Sequence, residues 1–138
     1  MTVLFMLDTN MVSYIARGHS LAARTRLAAL KDDEVACISA ITEGEIRYGL
    51  AKRPDATAVK TAMEGAIARL RVLPWGRHEA QAYGELRAKL EASGTTLGGM
   101  DMLIAAHAVA MGAVLVTNDK AFGQVDALHA SANWATDI

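Results

Sequence analysis

The sequence contains one cysteine and few aromatic residues, and both shortages narrow the range of possible folds. Cys37 has no second cysteine to pair with, so an internal disulfide framework is excluded and a reducing cytoplasm is expected. Aromatic residues make up only 5% of the chain, whereas 52% of it is hydrophobic. This composition favours aliphatic helices packed on a sheet over an aromatic-rich β-sandwich.

Long hydrophobic runs and a strong net charge are also lacking. The most apolar stretch, residues 102–116, is interrupted by His107 and Gly112 and is shorter than the roughly 20 residues that cross a bilayer. Residues 1–8 lack the basic segment that begins a signal peptide. The formal net charge is −1, unlike that of proteins that coat nucleic acid non-specifically. We therefore expect one soluble cytoplasmic domain over residues 1–138, for which nucleic acid would have to be a specific, locally bound substrate.

Short aliphatic strands alternate with helices along the chain. The hydrophobic pattern predicts strands at 3–7, 35–38, 71–73 and 113–116, with a last strand near Trp134. Helices are predicted at 11–17, 20–31, 39–52, 56–70, 78–92 and 100–111. This alternation predicts an α/β sandwich around a parallel sheet. In such sheets, ligands bind outside the carboxyl ends of the strands.

Two aspartates follow predicted strands. Asp8 comes directly after the first strand, and Asp119 follows the strand at 113–116. Each one alone has a simpler explanation, because aspartate is common at helix caps and in turns. Together, however, they place two carboxylates at the sheet edge where ligands bind.

Glu45 lies in the helix predicted at 39–52. This helix has two apolar flanks, formed by Ile41 with Tyr48 and by Ile46 with Leu50. Glu45 falls between these flanks, on the side expected to face the protein. Such a carboxylate is costly unless it is paired with an arginine or bound to a metal. Glu43 instead falls four residues before Arg47, where a solvated ion pair is the simplest explanation.

Asp101 stands in the first turn of a helix whose remaining residues are nearly all apolar, which is typical of a buried helix. The helix dipole alone would favour a carboxylate there. Two like charges about 4 Å apart repel by roughly 4 kcal/mol at an effective dielectric constant near 20. If the four acids converge, they therefore keep their charge only with a cation present. Oxygen ligands without histidine or cysteine partners favour Mg²⁺ or Mn²⁺ over zinc.

Four segments, in this order, resemble the acidic motifs of the VapC toxins, which are PIN-domain ribonucleases. They are MLDTN at 6–10, ISAITEGEIRYG at 38–49, GMDMLIAAHA at 99–108 and VLVTNDKAF at 114–122. The resemblance implies a PIN-like three-layer sandwich with a mainly parallel sheet of four to five strands and helices on both faces. By position it assigns the family's catalytic, metal-binding acids to Asp8, Glu45, Asp101 and Asp119. The family's Thr-x-x-Glu pattern selects Glu45 over Glu43, as the helical periodicity does.

The resemblance also implies an activity and partners. The expected activity is Mg²⁺- or Mn²⁺-dependent endonucleolytic hydrolysis of RNA, in which the metal activates a water and neutralises charge on the phosphate. Thr9, Asn10, Thr117 and Asn118 are expected to orient the carboxylates, or else only to cap helices and form turns. The expected partners are an RNA such as tRNA or rRNA, a second copy of the chain in a homodimer, and a VapB-type antitoxin. The antitoxin's C-terminal segment would fill the acidic groove.

Two alternatives remain open from the sequence. In an aspartyl-phosphate phosphotransferase or phosphatase, Asp8 would be the phosphorylated nucleophile, but related enzymes usually carry a second aspartate where this chain has Asn10. An inactive PIN-like scaffold would bind protein without catalysis. The presence of all four acids argues against this second alternative, because degraded modules usually lose some of them.

Overall fold

Five parallel strands form the central sheet in a computed structural model that describes residues 1–128 and 130–136. The strands are β1 (Val3–Leu7), β2 (Glu34–Ser39), β3 (Arg71–Leu73), β4 (Val114–Val116) and β5 (Ala130–Ala132). Their order in the sheet is β3-β2-β1-β4-β5, and every neighbouring pair is parallel. The predicted PIN-like α/β sandwich is confirmed.

The helices follow the predicted order, with shifted ends. They are α1 (Thr9–Ala16), α2 (Leu21–Ala28), α3 (Ala40–Ala51), α4 (Thr57–Ala68), α5 (Arg77–Ala92) and α6 (Gly99–Met111). A short 3₁₀ helix, Lys120–Gln124, joins β4 to β5. Helix α1 begins earlier than predicted because the Asp8 carboxylate accepts the backbone N–H of Met11 at 2.8 Å and caps the first turn. None of the helices in the described ranges is long and apolar enough to cross a membrane.

Apolar side chains pack against both faces of the sheet. On one face, Val12, Leu27 and Met63 bring α1, α2 and α4 onto the strands. On the other face, Leu86 and Ile104 do the same for α5 and α6. Because both faces are covered, the strands are apolar at consecutive positions instead of alternating with polar residues.

The strand order creates a crevice between β1 and β4. From β1 the chain builds β2 and β3 on one side, and it then crosses to β4 on the other side of β1. At such a reversal the connections leave in opposite directions and open a crevice at the carboxyl ends of the strands. Leu7 pairs with Val116, and the Asp8 N–H donates to the Val116 carbonyl at 3.0 Å. Asp8 and Thr117 therefore leave the sheet side by side at this crevice.

Candidate metal site

Asp8 is a buried carboxylate that is held by two hydrogen bonds. Only 4% of the residue is exposed. Its Oδ1 accepts the Met11 N–H at 2.8 Å, and its Oδ2 accepts the Thr117 hydroxyl at 2.5 Å. Burial nevertheless raises the pKa of Asp8 above its ordinary value, and the charges of Asp101 and Asp119 raise it further. Asp8 is thus fixed in position and repelled by two other acids.

Asp101 is half-buried in the first turn of α6. In the described ranges, no N–H or O–H group lies within bonding distance of its carboxylate. Burial raises the pKa of Asp101, and the charges of Asp119 and Glu45 add to the increase. Since Asp101 also raises the pKa of Asp8, it is electrostatically coupled to all three other acids. Asp101 is therefore the acid whose charge interacts with each of the other three.

Glu45 is half-buried on α3 and accepts a hydrogen bond from the Thr9 hydroxyl at 2.5 Å. This bond joins the first turn of α1 to the middle of α3. For the part of the chain that the structure describes, no lysine or arginine lies within ion-pair distance of Glu45, so an arginine pair does not explain its position. Glu43, by contrast, pairs with Arg47 at 3.0 Å, as expected for a solvated pair.

One of the two flanks predicted for α3 is half wrong, because Ile41 packs against the core but Tyr48 does not. Tyr48 is 66% exposed, whereas Thr42 and Ile46 are buried. The inward side of α3 is therefore narrower than the pattern indicated, and Glu45 lies at its edge. The Tyr48 ring is partly covered by the Lys52 ammonium, 5.1 Å from the ring centroid, and needs no place in the core.

Asp119 is exposed and has a local structural role as well as a place in the cluster. Its Oδ1 accepts the Ala121 N–H at 2.9 Å and caps the 3₁₀ helix. Its own N–H donates to the Thr117 hydroxyl at 2.9 Å. The Thr117 side chain thus links Asp119 to Asp8, so the two aspartates at the strand ends share one anchoring hydroxyl.

The four residues expected to orient the carboxylates divide into two groups. Thr9 and Thr117 donate directly to Glu45 and Asp8. Asn10 is exposed and lines a groove beside Glu45, and Asn118 accepts a hydrogen bond from Asn133 at 2.6 Å. Orientation of the acids remains a prediction for the threonines, whereas the contacts place the two asparagines at the margin of the cluster.

Sequence reasoning missed a link between the helices that carry Asp101 and Glu45. His107, to which we assigned no role, is fully buried in α6, and its Nδ1 lies 2.8 Å from the Ser39 hydroxyl. Ser39 also accepts the Ile41 N–H and so caps α3. Burial lowers the pKa of His107, which favours its neutral form. The Ser39 cap could be found from sequence, but its partner, 68 residues away, could not.

The donor chemistry of the cluster fits a hard divalent cation. The cluster offers carboxylate oxygens, and burial and repulsion raise the pKa of two of its carboxyl groups, Asp8 and Asp101. Within residues 1–128 and 130–136, no three acidic, histidine or cysteine side chains already surround a single point at metal-binding spacing. The fit therefore rests on the ligand type, because carboxylate oxygens without histidine or cysteine partners are the ligands that hard divalent cations prefer.

Comparisons with known proteins agree with the acidic motifs. The PIN-domain family model matches residues 5–128. Ribonuclease VapC2 of Rickettsia felis is 33% identical over 133 residues, which are 96% of this chain and 98% of that protein. The tRNA(fMet)-specific endonuclease VapC of Shigella flexneri is 32% identical over 132 residues, or 95% of this chain and 98% of that protein.

The fold comparison gives the same answer. The crystal structure of VapBC2 from Rickettsia felis, bound to a DNA fragment from their promoter, matches with a TM-score of 0.89 at 32% sequence identity. The match covers 96% of this chain and 99% of that chain. The prediction made from the four acidic motifs is therefore confirmed, and the chain belongs to the PIN-domain family and, within it, to the VapC ribonucleases.

Proposed function

We propose that this protein is a Mg²⁺- or Mn²⁺-dependent endoribonuclease that hydrolyses RNA at Asp8, Glu45, Asp101 and Asp119. The observation that carries the proposal is Asp101, which is half-buried, has no donor in the described ranges, and is coupled to the other three acids. A carboxylate in this position is stabilised by a cation and by little else. The family assignment supports a nuclease over the phosphotransferase alternative.

The chain's own residues hold the carboxylates in place for this reaction. Thr117 and the Met11 N–H fix both oxygens of Asp8, and Thr9 fixes one oxygen of Glu45. When bound, the cation supplies positive charge for the reacting phosphate and lowers the pKa of a water. Hydrolysis adds a water across the bond between phosphorus and the 3′ oxygen, which leaves a 5′-phosphate and a 3′-hydroxyl.

We further propose that residues 1–138 are a single PIN domain that acts in the cytoplasm as the toxin of a toxin–antitoxin pair. Its partners are a second copy of the chain and a VapB-type antitoxin, and its substrate is a structured RNA such as tRNA or rRNA. Supporting observations are the matching VapBC complex from Rickettsia felis and the Shigella flexneri relative, whose name gives tRNA(fMet) as its target. The acidic cluster would attract a basic segment of the antitoxin.

The most direct test of the activity is to incubate the protein with total cellular RNA and map the 5′ ends of the products. Incubation with Mn²⁺ is expected to give fragments with 5′-phosphates at a few positions, and incubation with EDTA is expected to give none. Cyclic-phosphate ends would instead indicate attack by the RNA's own 2′-hydroxyl and would contradict the proposed hydrolysis. A phosphate trapped covalently on Asp8 would support the phosphotransferase alternative.

Replacing Thr117 with valine is expected to reduce cleavage by about 10- to 100-fold, because residues that orient metal ligands typically contribute that much. The substitution keeps the side-chain shape and removes the hydroxyl that joins Asp8 to Asp119. Initial rates on the mapped RNA sites measure the effect.

Thr42→Val is the matched control for this substitution. Thr42 is fully buried in α3, and its hydroxyl has no hydrogen-bond partner within the described part of the chain. Its replacement is expected to leave cleavage unchanged and to leave stability equal or slightly higher, because an unsatisfied buried hydroxyl is removed. Equal losses of activity in both variants would mean that Thr117 acts only through folding.

A further inference from the structure

A groove of about 410 Å³ lies between α1 on one side and α3 and α4 on the other, and Glu45 is the one of the four acids that lines it. Thr9 and Glu45 line its acidic end, and Arg17 and Arg53 also line it. We propose that this groove binds the RNA strand next to the reacting phosphate, and that Arg17 and Arg53 bind phosphates of that strand. The inference rests on the proposed ribonuclease activity and adds to it a binding path for the substrate.

The two arginines occupy matching positions relative to the acidic end. Arg17 follows Thr9 by eight residues along α1, and Arg53 follows Glu45 by eight residues along α3 and the turn after it. At about 1.5 Å per helical residue, the Arg17 backbone lies roughly 12 Å along α1 from the acidic end, and Arg53 lies just beyond the far end of α3. The Thr9–Glu45 hydrogen bond holds the two helices together at that end. Both arginines therefore lie a few nucleotides of single-stranded RNA away from the proposed reaction site.

Arg17 and Arg53 bond to the ends of α1 and α3 through their backbone N–H groups. Both are exposed, and in the ranges 1–128 and 130–136 no carboxylate lies within ion-pair distance of either side chain. By contrast, Arg26, Arg47 and Arg87 each pair with a glutamate. Two unpaired cations on one groove repel each other and attract an anionic ligand.

The lining of the groove also includes apolar residues. Ile46, Leu50, Val59 and Met63 form an apolar strip, and Asn10 and Ser13 add polar groups from α1. An RNA strand alternates phosphates with riboses and bases, so it can place a base on the strip and phosphates on the arginines. When one phosphate lies at the metal site, the neighbouring nucleotides have to lie on the protein surface. In this groove their phosphates would meet the two arginines.

The test compares Arg17→Gln/Arg53→Gln with Arg69→Gln. Arg69 is also exposed, caps the C-terminus of α4 as Arg17 caps that of α1, and lines a separate groove against α2. The probe is a fluorescent RNA oligonucleotide that contains a cleavage site mapped in total RNA, with Mn²⁺ present. The double variant is expected to raise KM by about tenfold and to change kcat by less than about twofold.

Salt dependence separates phosphate binding from a loss of folding. The plot of log(kcat/KM) against log salt has a negative slope. Each lost phosphate contact is expected to make this slope less steep by about 0.7, and the double variant by about 1.4. Arg69→Gln is expected to retain the wild-type slope. Arg17→Lys/Arg53→Lys keeps the two charges and is expected to retain most of the wild-type salt dependence.

The outcomes distinguish this inference from the proposed function. If wild-type protein cleaves the probe and the double variant shows the same KM and slope, the binding path is wrong and the ribonuclease activity stands. If the double variant cleaves normally but no longer binds a partner protein, the groove is a protein-binding site and the inference is likewise wrong. If wild-type protein cleaves no RNA, the proposed function fails and this inference fails with it.

Discussion

Replacing Asp101 with asparagine is expected to reduce RNA cleavage by roughly a thousandfold or more while raising the thermal stability of the metal-free protein. The charge of Asp101 interacts with those of the other three acids. Removing it therefore removes repulsion with all three. Asparagine has nearly the same shape and stays neutral at all pH values. Loss of activity together with a gain in stability would show that the Asp101 carboxylate serves catalysis and lowers the stability of the metal-free fold.

The pH dependence of stability follows from the direction of the same pKa shifts. Because the folded-state pKa values of Asp8 and Asp101 are raised, the folded protein favours their protonated forms more than the unfolded chain does. This favourable contribution is complete below the unfolded-state pKa and is lost as pH rises through the folded-state pKa. Above the folded-state pKa, where both groups are ionised, their charges destabilise the metal-free fold. Acidification towards the raised pKa of Asp101 is therefore expected to narrow the stability difference between wild-type protein and the asparagine variant.

Asp32→Asn provides the control for this prediction. Asp32 is exposed and lies just before β2, at the amino end of the sheet and away from the acidic cluster. Its replacement is expected to leave both cleavage and the melting temperature unchanged. The prediction is checked by calorimetry in EDTA and by RNA cleavage in Mn²⁺. Full cleavage by the Asp101 variant, or a loss of stability as large as that of a core truncation, would contradict it.

The strand ends were predictable because burial on both faces leaves a strong hydrophobic signal. The run at 3–7 and the run at 113–116 each end at a polar residue, so the sequence placed Asp8 and Asp119 correctly at the carboxyl edge. Asp101 was found for the same reason, since it is the one charged residue at the start of an apolar helix. These inferences needed only local pattern.

The remaining features depend on how the helices pack, which a local pattern does not contain. Helix α3 has small residues such as Gly44 and Gly49 among its apolar ones, so its periodicity was weak and Tyr48 was assigned to the wrong side. The groove that joins Glu45 to Arg17 and Arg53 exists only because α1 and α3 lie next to each other. No spacing within one helix could have singled out those two arginines.

Saturating Mn²⁺ is expected to raise the melting temperature of wild-type protein and to have little effect on Asp101→Asn. A ligand present at 100 times its Kd stabilises the folded state by about 2.7 kcal/mol, which corresponds to roughly 8–10 °C for a chain of this size. The cation offsets the burial and the mutual repulsion that raise the pKa of Asp8 and Asp101, so the shift depends on these acids being ionised.

Acidification is therefore expected to shrink the Mn²⁺-induced shift, since protons then compete with the cation for the same oxygens. EDTA is expected to abolish the shift and the cleavage together, and Asp32→Asn is expected to behave like wild-type protein in both assays. An equal Mn²⁺ shift in wild-type protein and in the Asp101 variant would place the ion elsewhere on the molecule. A Mn²⁺ shift that depends both on pH and on Asp101 would distinguish a metal-binding acidic cluster from four acids that only cap helices and form turns. Caps and turns form without any cation.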